Sequence, residues 1–321
     1  MKKVLLSILF SLLCIGSVFS QFDAQFSQYM FNPSSFNPAA VGEGDMIQVV
    51  GQGRAQYIGM DSTILSSGAS TLNFGINSPI KINNSLHGIG FRVQSDKIGL
   101  FDNKMVYFQY AYKKKIGTGI FSIGADIGLI SLGFAGSKVT NINLGTYYDF
   151  SNDPAVPRTD VSGTSFDMNV GVFYSTPTFY SGISYSHVNS PVVSWSDYSE
   201  AKVKGSLYLT GGYLYTLPDS KYVIKPSGLF KTDFATSQLD LSSRVEYDNK
   251  YWGGLSYRYQ DAVVLLAGIN MAGGLSVGCS YDIPTSRIIT ASFGSLELLL
   301  TYSFEYVFQK KNSKYKSIRI L

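Results

Sequence analysis

Apolar and polar residues alternate with period two along most of this 321-residue chain. The last such segment carries apolar residues two positions apart, and most residues between them are polar: Leu296, Leu298, Leu300, Tyr302, Phe304, Tyr306 and Phe308. Because successive side chains of a strand point to opposite faces, each segment has one apolar and one polar surface. No stretch of comparable length has the i, i+3, i+4 pattern of a helix. The chain is therefore predicted to be almost entirely β.

Fourteen segments of this kind can be distinguished. They lie near 46–58, 64–78, 85–96, 104–116, 118–131, 164–176, 178–188, 203–217, 221–232, 236–248, 250–260, 262–271, 274–283 and 294–308. An even number of such strands is typical of bacterial outer-membrane barrels. Short connections at 175–177, 248–250 and 260–261, against longer ones at 132–163 and 189–202, also match the unequal ends of a barrel.

A soluble two-sheet sandwich would alternate in the same way, so composition has to separate the two folds. The polar faces are rich in Ser, Gly, Thr and Gln, and only 15% of all residues are charged. Aromatic residues also recur near segment ends, where a membrane barrel carries its girdles. These groups are Tyr107/Tyr110/Tyr112, Phe179/Tyr180, Tyr251/Trp252 and Tyr306/Phe308. We predict an all-β fold, a transmembrane antiparallel barrel of about 14 strands.

The N-terminus has the parts of a secretory signal peptide: a basic start at 1–3, an apolar run at 4–15 and small residues up to Ser20. We expect residues 1–20 to be removed and the protein to reach the cell outer membrane, with outer-membrane lipid around its barrel. No later apolar run approaches the roughly 18 residues of a membrane-spanning helix. The 26 Lys and Arg nearly balance the 22 Asp and Glu without forming a large basic cluster, so no nucleic-acid partner is expected.

Between signal and barrel lies a segment of unusual composition, 21–45. It contains Phe-Asn-Pro twice, at 31–33 and 36–38, and several further aromatic residues. Asn-Pro favours turns, and aromatic side chains need a surface on which to be buried. The segment is therefore expected either to plug the barrel or to dock on a periplasmic partner. The candidate partner-binding residues are Phe26, Tyr29, Phe31, Asn32, Pro33, Asn37 and Pro38.

If the apolar faces meet lipid, alternation directs the charged residues of the strands into the lumen. They are Arg54, Arg92, Asp126, Asp167, Asp240, Arg244, Glu246, Arg258 and Glu297. A selective porin tends to display one sign of charge, whereas mixed charges can pair and fill a lumen. The mixture leaves two interpretations open: a narrow or occluded barrel, or ordinary solvated lumen residues.

Candidate catalytic groups are few. The two histidines, His87 and His187, belong to no zinc-binding motif, and no Gly-x-Ser-x-Gly nucleophile motif occurs. Cys279 is the one cysteine of the expected mature chain and is interpreted as a small apolar residue. We predict no enzymatic activity, no catalytic residues, no metal and no cofactor. The barrel is expected to span 46–308, followed by a basic tail, 309–321, which either meets an acidic partner or is simply solvated.

The sequence resembles the PorP/SprF family of type IX secretion and gliding-motility proteins of Bacteroidota. The resemblance begins with Gln-x-x-x-Gln-Phe-Ser-Gln-Tyr-Met-Phe-Asn at 21–32 and Asn-Pro-Ala at 37–39. It continues through these segments: 54–59, 96–99, 169–175, 179–184, 225–227, 252–258 and 278–282. Two positions depart from the family pattern, because Tyr57 stands where Trp is frequent and the chain ends in Ile-Arg-Ile-Leu321.

The resemblance implies a barrel that works by association and catalyses no reaction. Its expected partners are periplasmic ring or lipoprotein components of the secretion machinery, and a secreted adhesin. The alternative function is an outer-membrane channel for small or apolar solutes.

Overall fold

A computed structural model describes residues 23–60, 69–83, 85–141, 157–196 and 199–305. The expected signal peptide and the basic tail therefore lie outside the described residues, as do parts of the predicted segments at 64–68 and 306–308. No helix within the described ranges is long and apolar enough to cross a membrane.

Fourteen antiparallel strands close into a barrel, as the alternation predicts. The elements are β1 (Ile47–Ile58), β2 (Ala69–Ile82), β3 (Ser85–Ile98), β4 (Phe101–Ile116), β5 (Gly119–Ala135), β6 (Asp160–Ser175), β7 (Phe179–Ser186), β8 (Val192–Ser196), β9 (Ser199–Lys202), β10 (Ser206–Tyr213), β11 (Tyr215–Thr216), β12 (Tyr222–Thr232), β13 (Ser237–Tyr247), β14 (Tyr251–Arg258), β15 (Ala262–Asn270), β16 (Leu275–Pro284) and β17 (Gly294–Phe304). Each of the fourteen predicted segments corresponds to one wall strand. Elements β10 and β11 form a single wall strand, and β8 and β9 form a separate hairpin.

Each wall strand pairs with its neighbours in the chain, and the circle closes where β1 pairs with β17. Next to the β8–β9 hairpin, β10 lies between β7 and β12. Since the strand number is even, the start of β1 and the end of β17 lie at the same end of the barrel. We call this the terminal end and the opposite one the far end. The terminal end has short connections, such as 117–118 and 176–178, whereas the far end has the long ones at 136–159 and 187–205.

The two faces of the wall differ as the alternation requires. On β4, Phe108 and Tyr110 point outward and are largely exposed, whereas Gln109 and Lys113 point inward and are buried. An exposed apolar exterior with a polar interior is the pattern of a barrel surrounded by lipid. Cys279 belongs to the exposed outer face.

Some aromatic residues lie on the side opposite to that predicted. The interpretation as a membrane girdle is wrong for Tyr107 and Trp252, which are buried inside the barrel, and for Tyr180, which packs on the inner side against Phe173. Tyr251 precedes Trp252 and is exposed. Because adjacent residues of a strand face opposite sides, one member of such a pair has to point into the lumen.

The connection at 189–202 is not irregular. It contains the hairpin β8–β9, whose Val193 is fully buried with Met105, Ile130 and Leu132, residues on the inner face of β4 and β5. Trp195 fixes the hairpin further, because its Nε1 donates a hydrogen bond to the Leu132 carbonyl over 2.9 Å. The far end of the barrel is thus partly covered from within.

Candidate functional site in the barrel lumen

Residues 23–42, here called the lumen segment, run through the interior of the barrel. At one end Asp23 contacts His187 and Lys231, near the far end of the wall. At the other end the Gly42 N–H donates to Asn77 Oδ1 over 3.2 Å, near the terminal end. The lumen segment therefore runs from the far half of the lumen to the start of β1. Residues 23–42 therefore lie within the barrel.

Three short 3-10 turns shape the lumen segment: Tyr29–Phe31, Pro33–Ser35 and Pro38–Ala40. Pro33 and Pro38 each stand at the first position of a turn, where proline's missing N–H costs nothing. Asn37 caps the third turn by accepting a hydrogen bond from the Ala39 N–H, and its Nδ2 donates to the Val172 carbonyl. The repeated Asn-Pro pairs thus fold the segment, and one of them also ties it to the wall.

Glycines in the wall let the lumen segment approach the strands closely. A Cβ on Gly124 would lie 2.5 Å from the backbone nitrogen of Ala39, and one on Gly88 would lie 2.1 Å from the Val41 carbonyl oxygen. Such distances are too short for any side chain without displacement of the backbone. Close contact between the lumen segment and the wall therefore requires glycine at these positions of β3 and β5.

In the far half, Glu297 holds the backbone of the lumen segment. This carboxylate is fully buried and accepts hydrogen bonds from the N–H groups of Ser27 and Gln28 at 2.7 and 3.0 Å. The Arg54 guanidinium lies 3.3 Å from the same carboxylate. Charge-assisted hydrogen bonds of this kind are among the stronger ones in proteins.

The Ser27 hydroxyl joins this pair to further charges, and we call the resulting group the Ser27 cluster: Ser27, Arg54, Asp240, Arg258, Asp282 and Glu297. The hydroxyl donates to Asp282 over 2.8 Å and accepts from both arginines. Arg258 also pairs with Asp240 and Asp282, each over 3.1 Å. Since every charge has a partner of opposite sign, the cost of burying them is offset while the cluster stays complete.

A second contact holds the start of the segment. His187 donates through both ring nitrogens, with Asp23 at 2.9 Å and Asp167 at 2.6 Å. Burial alone would lower the pKa of His187, but the two carboxylates outweigh it and raise that pKa to about 10. Burial alone would raise the pKa of Asp23, yet His187 and Lys231 hold it below its usual range. His187 is therefore a cation at neutral pH, and it lies just beyond β7 and outside any strand.

The nine charged residues predicted for the lumen all lie on inward faces of strands, and most have partners. Besides those already described, Arg92 lies 3.7 Å from Asp126, and Glu246 lies 2.8 Å from Lys225. Arg244 differs, because none of its nitrogens has a hydrogen bond or an ion pair with a described residue. Its guanidinium instead lies over the Phe31 ring, 4.1 Å from the ring centroid.

The nine charged residues predicted from the alternation are not the full set of charges that contact one another in the lumen. Further inward or segment-borne charges take part in these contacts, namely Asp23, Asp282, Lys225 and Lys231. Asp282 and Lys231 stand on the polar faces of predicted segments, so the alternation already contained the signal for them. Asp23 lies outside the periodic segments, where alternation gives no information.

The seven candidate partner-binding residues all lie in the lumen segment, but in two different environments. Five of them are buried among lumen side chains: Phe26, Tyr29, Asn32, Asn37 and Pro38. The other two, Phe31 and Pro33, line a cavity of about 290 Å³ at the terminal end. Contact of any of them with a partner stays a prediction.

The far end also holds a cavity, of about 260 Å³, which is lined by Asp23, Arg54, Arg258 and Asp282. A much smaller one, about 40 Å³, lies between the two and beside His187. Within the ranges described, no three His, Cys, Asp or Glu side chains are grouped in a way that could hold a metal ion.

The sequence profile of a protein family covers most of the chain: "Type IX secretion system membrane protein PorP/SprF" matches residues 18–302. This chain belongs to the PorP/SprF family. The segments that resemble the family also meet in space, because 21–32, 54–59, 252–258 and 278–282 supply four of the six residues of the Ser27 cluster. Motifs far apart in the sequence thus meet at the contact that holds the lumen segment.

Comparison with functionally curated proteins found no match. Among solved structures, the PorP/SprF chain is similar to the Ralstonia pickettii toluene transporter TbuX, with 12% identity, a TM-score of 0.49 and coverage of 91% of this chain and 96% of that one. The Pseudomonas putida toluene transporter TodX has 11% identity and a TM-score of 0.47, with coverage of 91% of this chain and 96% of that one. The Acinetobacter baumannii outer membrane protein Omp33 has 9% identity and a TM-score of 0.46, with coverage of 82% of this chain and 100% of that one. Likeness this distant gives no information about what the chain binds.

Proposed function

We propose that this protein is a non-enzymatic outer-membrane component of the type IX secretion and gliding-motility machinery that acts by binding other proteins. Its partners are periplasmic ring or lipoprotein components, secreted surface adhesins, or both. Membership of the PorP/SprF family supports the choice of system. The lipid-type exterior of the barrel supports a location in the outer membrane.

The observation that carries a binding role over transport is the filled lumen. The lumen segment runs from the far half to the terminal end, and the hairpin β8–β9 packs inside the far end. Buried ion pairs hold the segment in place, and removal of one partner of such a pair is costly. A barrel whose lumen is filled by a segment held in a fixed position is poorly suited to continuous passage of solutes.

The unequal ends of the barrel indicate where the partners bind. In outer-membrane barrels the short turns face the periplasm and the long loops face outward. The terminal end, with its short turns, is accordingly the proposed contact surface for periplasmic components. The far-end connections at 136–159 and 187–205 are the proposed surface for a secreted adhesin.

The decisive experiment is cross-linking in native outer membranes, followed by identification of the captured neighbours. We expect type IX secretion components to be enriched over a control barrel of similar abundance. Capture of lipids and unrelated porins alone would contradict the proposal.

Conductance separates this function from the rival channel for small or apolar solutes. We expect the purified protein to give no stable single-channel conductance in planar bilayers, and liposomes containing it to take up no solute. A variant lacking residues 23–42 should conduct; Arg54→Met, which loosens the plug without shortening the chain, serves as a second test. Robust conductance or uptake by the unaltered protein would favour the channel.

A further inference from the structure

We propose that the terminal-end cavity is a binding site for a carboxylate whose parent molecule also carries an aromatic or branched apolar group. The site stands on the geometry of the cavity and does not depend on the assignment to secretion. Its central residue is Arg244, and its floor is formed by the lumen segment around Phe31.

Arg244 has no carboxylate at ion-pair distance within the part of the chain that the structure describes. The acid two residues along the same face, Glu246, is already paired with Lys225 at 2.8 Å. The other three lumen arginines each have a carboxylate partner within 3.7 Å. A guanidinium has five N–H donors in a plane, and here none of them is used by a described residue.

The guanidinium is nevertheless held in one position. It lies over the Phe31 ring at 4.1 Å, and Phe31 is itself supported by Trp252, with ring centroids 4.6 Å apart. Stacking on an aromatic face leaves the edge of a guanidinium free to bind a carboxylate through two parallel hydrogen bonds. The site is thus ordered before a ligand arrives, which lowers the entropic cost of binding.

The remaining lining fits an anion with an apolar body. The Tyr180 hydroxyl is buried at the cavity and can donate to an oxyanion. Aromatic side chains also border the cavity, namely Phe31 and the buried Phe173. The cavity volume of about 290 Å³ lies near the lower limit for small-molecule sites, so it suits one side-chain-sized group.

The balance of charge favours a single negative charge over a phosphate. Of the charged lining residues, Lys225 is neutralised by Glu246, and Glu43 adds an exposed negative charge at the mouth. Arg244 is therefore the one cation of the described lining that is not part of an ion pair. A dianion would gain no second positive partner and would be repelled by Glu43.

The test uses the full mature chain in detergent micelles and isothermal titration calorimetry. N-acetyl-L-phenylalanine is the probe, and N-acetyl-L-phenylalaninamide, which lacks only the carboxylate, is the matched control ligand. We expect the acid to bind and the amide to bind at least about tenfold more weakly, since a hydrogen-bonded charge is lost. Arg244→Gln should remove the preference for the acid, whereas Lys221→Gln, an exposed residue of the same end outside the cavity, should retain it.

Two further measurements complete the design. If Arg244→Gln does not fold, Arg244→Lys keeps the charge but loses the planar fork, and we expect a weaker but detectable preference for the acid. Comparison of 3-phenylpropionate with the peptide Ala-Ala-Ala-Phe identifies the source of the carboxylate as a free organic acid or the end of a polypeptide chain. Equal binding of acid and amide, unchanged binding by Arg244→Gln, or no binding of either probe to the folded protein would overturn the proposal.

Discussion

The two ends of the lumen hold cavities of similar size but opposite electrostatic character. At the far end, about 260 Å³ is bordered by arginines and carboxylates that each have an ionic partner. At the terminal end, about 290 Å³ is bordered by aromatic rings and by an arginine without an ionic partner. The lumen segment passes between them and takes part in both. The lumen thus contains one region that holds the lumen segment and another that, by our proposal, binds a carboxylate ligand.

The difference is instructive because buried charges act differently in the two settings. A complete ion cluster holds its bound segment in position. Loss of one member leaves its former partners as unpaired charges in an interior of low dielectric constant. An isolated cation carries its desolvation cost until an anion arrives. We therefore expect equal substitutions at the two ends to have unequal effects on stability and on binding.

The largest difference is expected for arginine replaced by methionine at each end. Arg54→Met leaves Asp282 and Glu297 without their shared partner, and should lower the free energy of unfolding by about 3–5 kcal/mol. Arg244→Met removes a cation that has no partner, and should change that free energy by less than about 1 kcal/mol or raise it. Urea-dependent unfolding in detergent micelles measures both. Equal losses for the two variants would remove the distinction between the ends.

Raising the pH should weaken the far-end contact through His187. Its pKa is raised on folding, so its contribution is complete below about pH 6.5, the unfolded value, and is lost as pH rises towards 10. The loss is at most about 1.4 kcal/mol per pH unit. The pKa of Asp23 is lowered, so its contribution is present above pH 3.8 and falls below that.

Thermal unfolding at pH 6, 7.5 and 9 checks this sign. Wild type should lose stability relative to His187→Gln as pH rises, because the variant has no titrating imidazole. Arg244→Met, which alters only the terminal end, should keep the pH dependence of wild type. A parallel pH dependence in wild type and His187→Gln would contradict the assignment.

A smaller effect is expected where the lumen segment touches the wall in the terminal half of the barrel. Gly124→Ala places a Cβ 2.5 Å from the Ala39 nitrogen, and displacement of the segment should cost about 1–3 kcal/mol. Gly51→Ala is the control, because a Cβ there meets no atom within 4 Å. Hydrogen exchange of the Ala39 and Val41 amides should accelerate in the first variant alone. Equal exchange in both would mean that the contact does not position the segment.

The smallest effect concerns the hairpin that covers the far end. Trp195→Phe keeps an aromatic ring but removes the hydrogen bond from the indole to the Leu132 carbonyl, and this loss should cost about 0.5–1.5 kcal/mol. Limited proteolysis of the connection at 187–205 should become faster, while ligand binding at the terminal-end cavity stays unchanged. A change at the terminal end would show that the two regions are coupled.

The strands of the barrel wall could be predicted because each strand is recognised from the order of its own residues. Period-two alternation identifies a strand from its own residues, and the inward positions of Arg54, Asp240 and Glu297 follow from the same rule. The alternation also contained Asp282, which shares the polar face of its segment with Ser280. The resemblance carried by residues 21–32 supplied the family, which no periodicity could have named.

The path of the lumen segment could not be predicted in this way. It has no periodic pattern, and its Ser27 N–H binds Glu297, 270 residues further along the chain. The hairpin β8–β9 was missed for a related reason, since strands of five and four residues are too short for alternation to stand out. Contacts that span the whole chain depend on closure of the barrel, which a single segment does not encode.

The bond between Ser27 and Glu297 has a consequence for the order of assembly. Residues made first are fixed by a strand made last, because Glu297 stands on β17, which also closes the circle with β1. A chain truncated before β17 would have neither a closed wall nor the carboxylate that holds its beginning. Docking of the lumen segment and closure of the wall therefore depend on the same strand, so neither is expected without the other.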